Sequence, residues 1–374
     1  MSDNLKDRMD LKKREQERRE KNFTKILQLL FSKTPIKENA IIVEGKIDKK
    51  FSESLFNTNN CECIRLNGID NVKFIFSCNN SKRKKSKELE KALNDEENKN
   101  KINKLIEMRN KNQVVGFVDK DFRDAQPDQQ FLKEDYYPLF ETETTDLEIL
   151  LCKHGGLRFF LSKSCEESKV KNLEKILKNQ ASISGFARFL NGRESDENGK
   201  KISISYNSFK KLNEATRFRD FLKKDRSVRC DDIKTCLEDD EKNSDQTKKA
   251  FFDRYEKECS RKRIKYDKDL WLICQGHDTM NILLILLEIH CQYEKSLNYT
   301  DHQSSEKLSK KILGQFIEHQ CYKKSSMIKQ IIEWEKKNRL SNPSMAGCGR
   351  LFKDCVYDAF NDPPCNDRPL ELCT

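Results

Sequence analysis

Ile41–Phe51 reads IIVEGKIDKKF and Val114–Phe122 reads VVGFVDKDF, and in both an apolar run breaks off into carboxylates. Ile41, Ile42 and Val43 lead into Glu44, with Asp48 one helical turn further on. Val114, Val115, Phe117 and Val118 lead into Asp119 and Asp121. Unbroken β-branched and aromatic runs with polar boundaries read as strands buried on both faces, as in a parallel α/β sheet. Ligands of such sheets bind beyond the carboxyl ends of the strands. Carboxylates gathered at that edge repel one another unless a cation or a shared proton offsets them. Oxygen-only ligands suit Mg²⁺ or Mn²⁺. The two strand ends therefore predict a divalent-cation site.

Around these stretches, strands and helices alternate. The pattern predicts strand Ala40–Val43, a helix from Ile47 that turns Phe51, Leu55 and Phe56 inward, and strand Cys61–Leu66. A helix at Asn71–Cys78, strands Val114–Val118 and Phe140–Thr144, and a helix at Asp146–Lys153 follow. This is an α/β domain over 38–155, with a charged insertion at 79–111 in which Ile102, Leu105 and Ile106 form a weak helical stripe. The insertion reads as helical or partly disordered. Residues 1–37 read as a charged helix that becomes amphipathic at Phe23.

Residues 156–341 read as a mainly helical C-terminal domain, with helices at Lys169–Lys178, Ile183–Asn191, Phe209–Lys224, Thr247–Lys262, Asp278–Tyr293, Glu306–Gln320 and Ser325–Lys337. Asp269–Cys274, DLWLIC, is strand-like within it, and 342–374 is a loop-rich tail.

Composition narrows the function classes. The chain has 374 residues, is 36% charged and carries a formal net charge of +11, which favours a polyanionic partner over a membrane. No segment approaches the ~20 apolar residues of a membrane span, and the N-terminus lacks the apolar core of a signal peptide. A cytoplasmic protein is expected. The 15 cysteines are mostly singles in apolar runs, such as Cys152, Cys274 and Cys291, which argues against a disulfide framework. Cys348, Cys355, Cys365 and Cys373 crowd the end without a CxxC pair, so reduced thiols are expected there, with a structural zinc as the alternative.

The order and spacing of the acids resemble the Toprim domain, the metal-binding α/β fold of topoisomerases, primases and OLD-family nucleases. Its mark is a Glu after the first strand and a DxD after the third, here Glu44 and Asp119–Asp121. The ExxxD spacing Glu44–Asp48 and the DLE at Asp146–Glu148 are similar to the OLD-like nuclease branch, where such acids hold a second metal. The whole chain is similar to the Toprim nuclease subunits that pair with an ABC-type ATPase in bacterial anti-phage defence, the PARIS family. A strand-Gly-His-Asp-helix segment follows in that group, here LWLICQGHDTMNILLILL at Leu270–Leu287.

The resemblance implies a Rossmann-like, mostly parallel sheet flanked by helices, with a helical C-terminal extension. It also implies a Mg²⁺- or Mn²⁺-dependent endonuclease acting on RNA or DNA as a defence effector controlled by a partner ATPase. A homodimer stays open. Asp119, Asp121 and Glu148 would be metal ligands, and Glu44 a ligand or general acid/base. Asp48 would hold a second metal or, alternatively, complement a helix dipole. Lys46, Lys120 and His277 are candidate substrate contacts; Asp124, Asp146 and Asp278 read as loop and N-cap residues. The SKRKKSK run at Ser81–Lys87 reads as a solvated basic loop, with nucleic-acid docking as the alternative. Two other readings are a primase- or topoisomerase-like enzyme, for which no zinc ribbon or marked tyrosine is evident, and a non-catalytic Toprim scaffold or sensor.

Overall fold

Four parallel strands in the order β2-β1-β3-β4 make the sheet: β1 (Asn39–Val43), β2 (Cys61–Arg65), β3 (Val114–Val118) and β4 (Leu139–Glu141). All three pairings are parallel, with Ile42 opposite Ile64 on one side and Gly116 on the other. The computed structural model describes residues 37–66, 68–77, 90, 93–120, 136–190, 194–195, 201–202, 248–253, 255–257, 269–291, 302–319, 321–340, 351–353 and 356. The helices expected at 3–33 and 209–224, and the basic run 81–87, lie outside them.

Every residue of β1 and of β3 is buried, as their continuous apolar character requires. Successive side chains of a strand alternate between faces. One face, with Ala40, Ile42, Ile64, Val114 and Val118, is covered by Phe76 of α2 (Ile69–Phe76) and by Ile102, Leu105 and Met108 of α3 (Glu96–Asn110). On the other face Phe117 meets Phe51 of α1 (Lys46–Leu55) edge-on, with ring centroids 5.7 Å apart. Gly116 sits where a Cβ would stand 2.7 Å from the Phe76 ring, so the close approach of α2 depends on it.

Over Glu96–Asn110 the charged insertion 79–111 is helical, and the stripe Ile102, Leu105 and Ile106 is its core-facing side. The last turns of α3 pack into the core, and Asp95 caps it by accepting from Asn98 N at 2.9 Å. Three buried apolar side chains in fifteen residues are enough to dock a helix whose other faces are charged.

The chain divides into two compact units. The first holds the sheet, the residues before Lys120 and the chain from Lys323 to Leu372; the second spans 143–322. The second is helical: α4 (Leu147–Lys153), α5 (Gly156–Ser164), α6 (Glu167–Leu190), α7 (Gly276–Cys291) and α8 (His302–His319), with a two-stranded antiparallel ribbon, β5 (Glu194–Ser195) and β6 (Lys201–Ile202). Phe160 of α5 and Phe316 of α8 pack edge-on at 5.9 Å.

Two expectations are corrected here. The segments read at 169–178 and 183–191 belong to the single helix α6, inside which the Ser182 hydroxyl is satisfied by the Asn179 carbonyl at 2.8 Å. Asp269–Cys274 is not a strand but a tight turn, Leu270–Ile273, opened by Asp269 accepting from Trp271 N at 3.2 Å. A short, wholly apolar run does not distinguish a strand from a buried turn. The turn lies against α6 so closely that a Cβ on Gly185 would stand 1.7 Å from the Ile273 carbonyl oxygen.

Asp278, expected as an N-cap, lies inside α7 and is fully buried. Its carboxylate receives Arg188 Nε at 2.5 Å and NH2 at 2.7 Å, and the Ser184 hydroxyl at 2.6 Å. A buried carboxylate without such partners would be strongly destabilising.

The first unit is closed by α9 (Ser326–Glu335), which continues into a wider turn, Lys336–Leu340. Arg339, 2% exposed, donates to the Asn39 side chain at 2.7 Å and to the Asn112 carbonyl at 2.9 Å. Glu335 accepts from Leu351 N at 2.6 Å, and Phe352 stacks on Phe56 with centroids 4.5 Å apart.

Arg188→Met removes the guanidinium from a buried carboxylate and is expected to cost about 3–5 kcal/mol. Gly185→Ala forces a methyl into a backbone carbonyl and is expected to cost about 1–3 kcal/mol. Urea unfolding midpoints measure both; wild-type midpoints would contradict the packing described.

Candidate functional site

The chain leaves β1 toward β2 on one side, and leaves β3 toward β4 on the other. The carboxyl ends of β1 and β3 are therefore the topological switch point, where open α/β sheets form a ligand crevice. Val43 pairs with Phe117. Glu44 follows Val43 directly, and Asp119 follows Phe117 by two residues. Two carboxylates thus leave neighbouring strands at the same edge, and both residues are half-buried.

The turn after Glu44 is built by Asp48. Its Oδ2 accepts from Gly45 N at 2.6 Å, and its side chain is buried at the start of α1. A Cβ on Gly45 would stand 2.9 Å from that oxygen, so glycine lets the carboxylate close the turn. Asp48 thus holds the backbone that presents Glu44. Lys46, the first residue of α1, is exposed, and Lys120 is half-buried after Asp119. Asp121 and Asp124 lie outside the described residues.

One acid at this edge was missed. Glu141 ends β4 opposite Val118 and is half-buried, and Thr142 N continues the pairing to the Val118 carbonyl at 3.0 Å. Its signal was present: Leu139-Phe140-Glu141 repeats, in miniature, the apolar run that stops at an acid. Reading the strand as 140–144 placed Glu141 inside it instead of at its end.

The other predicted residues belong to the second unit, and there two distant segments meet. Asp146 caps α4 with Oδ1 on Ile149 N at 3.0 Å, while its Oδ2 accepts from Gly276 N at 2.6 Å. The Thr145 hydroxyl donates to the Cys274 carbonyl. Glu148, in the first turn of α4, is nearly buried, and its Oε1 lies 3.8 Å from His277 Nδ1. The His277 side chain is 74% exposed. The structure thus joins the DLE and GHD segments, which sequence spacing alone does not.

Among the described residues, no three His, Cys, Asp or Glu side chains form a cluster that could hold a metal ion. The donors at the sheet edge, carboxylates without His or Cys, still suit a hard divalent cation. The described thiols do not offer an alternative. Burial, and for each the partner thiol or nearby carboxylates, push Cys61 and Cys63 up to about 12. Complete burial raises Cys152 and Cys274 as well. These four are free thiols, whereas Cys165, at the end of α5, is disulfide-bonded. Cys348, Cys355, Cys365 and Cys373 lie outside the described residues. No helix among the described residues is long and apolar enough to cross a membrane.

The chain matches no family model and no curated protein sequence.

A thiol at about 12 is thiolate to roughly one part in ten thousand at pH 8. Cys61, Cys63, Cys152 and Cys274 are therefore expected to escape iodoacetamide at pH 8 in the folded protein and to react fully in urea. Peptide mass spectrometry after each treatment measures this, and labelling of these four in the native protein would contradict their burial.

Proposed function

We propose that the first unit is a Toprim-type domain and that the protein is a Mg²⁺- or Mn²⁺-dependent nuclease acting on RNA or DNA. What supports this most is the delivery of Glu44 and Asp119 to one switch point by paired, wholly buried parallel strands. Acids at the mouth of a buried strand are unfavourable for folding alone, which is what a cation site would explain.

Glu44 and Asp119, with Asp121 after them, are the residues that would hold the ion. A divalent ion bound there would stabilise charge on the phosphate oxygens and make the attacking water more acidic. Asp48 serves by fixing the turn that presents Glu44. Exposed Lys46 is suited to pair with a phosphate of the substrate. Within the second unit, Glu148 and His277 place a carboxylate 3.8 Å from an imidazole. The formal charge of +11 favours a polyanionic substrate. The role in anti-phage defence and the partner ATPase rest on the resemblance of the sequence to the PARIS nuclease subunits.

Plasmid, single-stranded DNA and tRNA incubated with the protein in Mg²⁺ or Mn²⁺ are expected to include a cleaved substrate. Glu44→Ala and Asp119→Ala are each expected to reduce cleavage at least about 100-fold, since even outer-shell partners of a metal are worth up to that much. Cleavage that survives both substitutions would overturn the assignment. Calorimetric titration with Mn²⁺ separates a scaffold, which shows no binding, from an enzyme awaiting release by its partner, which binds.

A further inference from the structure

We propose that Asp146 is a positioning residue that holds His277 beside Glu148, an inference that rests on the nuclease reading for its kinetic part. An N-cap needs one side-chain oxygen, and Ser, Thr or Asn would cap α4 about as well as Asp. Asp146 uses both of its oxygens. Oδ1 takes Ile149 N of α4 at 3.0 Å, and Oδ2 takes Gly276 N, at the start of α7, at 2.6 Å. One carboxylate therefore fastens the beginnings of two helices whose residues stand 130 apart in the chain. Asn could not do the same, because its amide nitrogen would face one of the two N–H groups.

The surroundings are shaped for this bond. Asp146 is 8% exposed. A Cβ on Gly276 would stand 2.6 Å from Asp146 Oδ1 and 2.7 Å from Glu148 Cβ, so only glycine allows this contact without displacement. The Thr145–Cys274 hydrogen bond runs alongside as a second tie. The residue after Gly276 is His277, and the one two after Asp146 is Glu148. Fixing Gly276 to Asp146 thus sets where the backbone of His277 stands, with its exposed imidazole 3.8 Å from the nearly buried Glu148 carboxylate. Asp146 need not touch substrate to matter; it sets where His277 stands.

Asp146→Ser tests this, because serine keeps the α4 cap and lacks the second acceptor. Gly276→Ala breaks the same contact from the other side and covers the case in which the serine variant does not fold. In spectra of ¹⁵N-glycine-labelled protein, the Gly276 amide is the resonance lost in Gly276→Ala. It is expected to exchange slowly in the wild type and at least about 10-fold faster in Asp146→Ser. Unchanged exchange would overturn the inference.

In cleavage assays, Asp146→Ser is expected to lower kcat by the same factor as His277→Ala, roughly 100-fold, with KM changed far less. The double variant should be no worse than His277→Ala alone. Losses that multiply would instead mean that Asp146 only stabilises the fold. Should the wild type neither cleave nor bind Mn²⁺, the nuclease reading falls; in that case, as for a silent enzyme that binds Mn²⁺, the glycine amide decides whether Asp146 holds α7.

Discussion

The parallel pairing of β1 with β3, sealed on both faces, is the constraint on which the first unit depends. Parallel neighbours cannot be joined by a hairpin, so each needs a crossover, and the crossovers become the helices that cover the faces. Burial of every residue in both strands leaves Asn39, paired with Arg339, as their one polar side chain before they end. The acids Glu44, Asp119 and Glu141 therefore stand where the sheet stops, and the winding direction changes between β1 and β3 at the same edge. Site and fold have one cause.

That cause is also why this part of the molecule was legible. A strand buried on both faces is written as a local run, and IIV before Glu44 and VVGFV before Asp119 are such runs. Elements whose state is decided by neighbours were not legible. Leu270–Ile273 is as apolar as a strand, yet it closes into a turn because it packs on α6 where Gly185 leaves room. Helix α3 showed only a weak stripe, Ile102, Leu105 and Ile106, because a few side chains among charges suffice to dock it. At the edge, Glu44 and Asp119 could be read from their runs, while the run before Glu141, in a strand only three residues long, is short enough to be read past.

The polar interactions of the interior show a further limit. Arg339 with Asn39, Arg188 with Asp278 and Asp146 with Gly276 link positions 300, 90 and 130 residues apart. Nothing in the spacing of a local motif encodes such a partner. Asp278 and Asp146 each stood in the place of an N-cap, and one is a buried counter-ion while the other is a cap with a second duty. Their chemistry was identifiable, but their partners depended on the fold.

The tie between Arg339 and Asn39 gives the first unit an unusual topology in time as well as space. The sheet is specified within the first 141 residues, but the guanidinium that satisfies the start of β1, and Leu351, whose carbonyl receives Asn57 N, are made last. Such contacts raise the mean sequence separation that folding must close. A fragment ending anywhere between 143 and 322 would contain the whole sheet with its seam unfastened. The α/β unit is consequently not a detachable module: completion of its interior awaits the synthesis of Arg339 and Leu351.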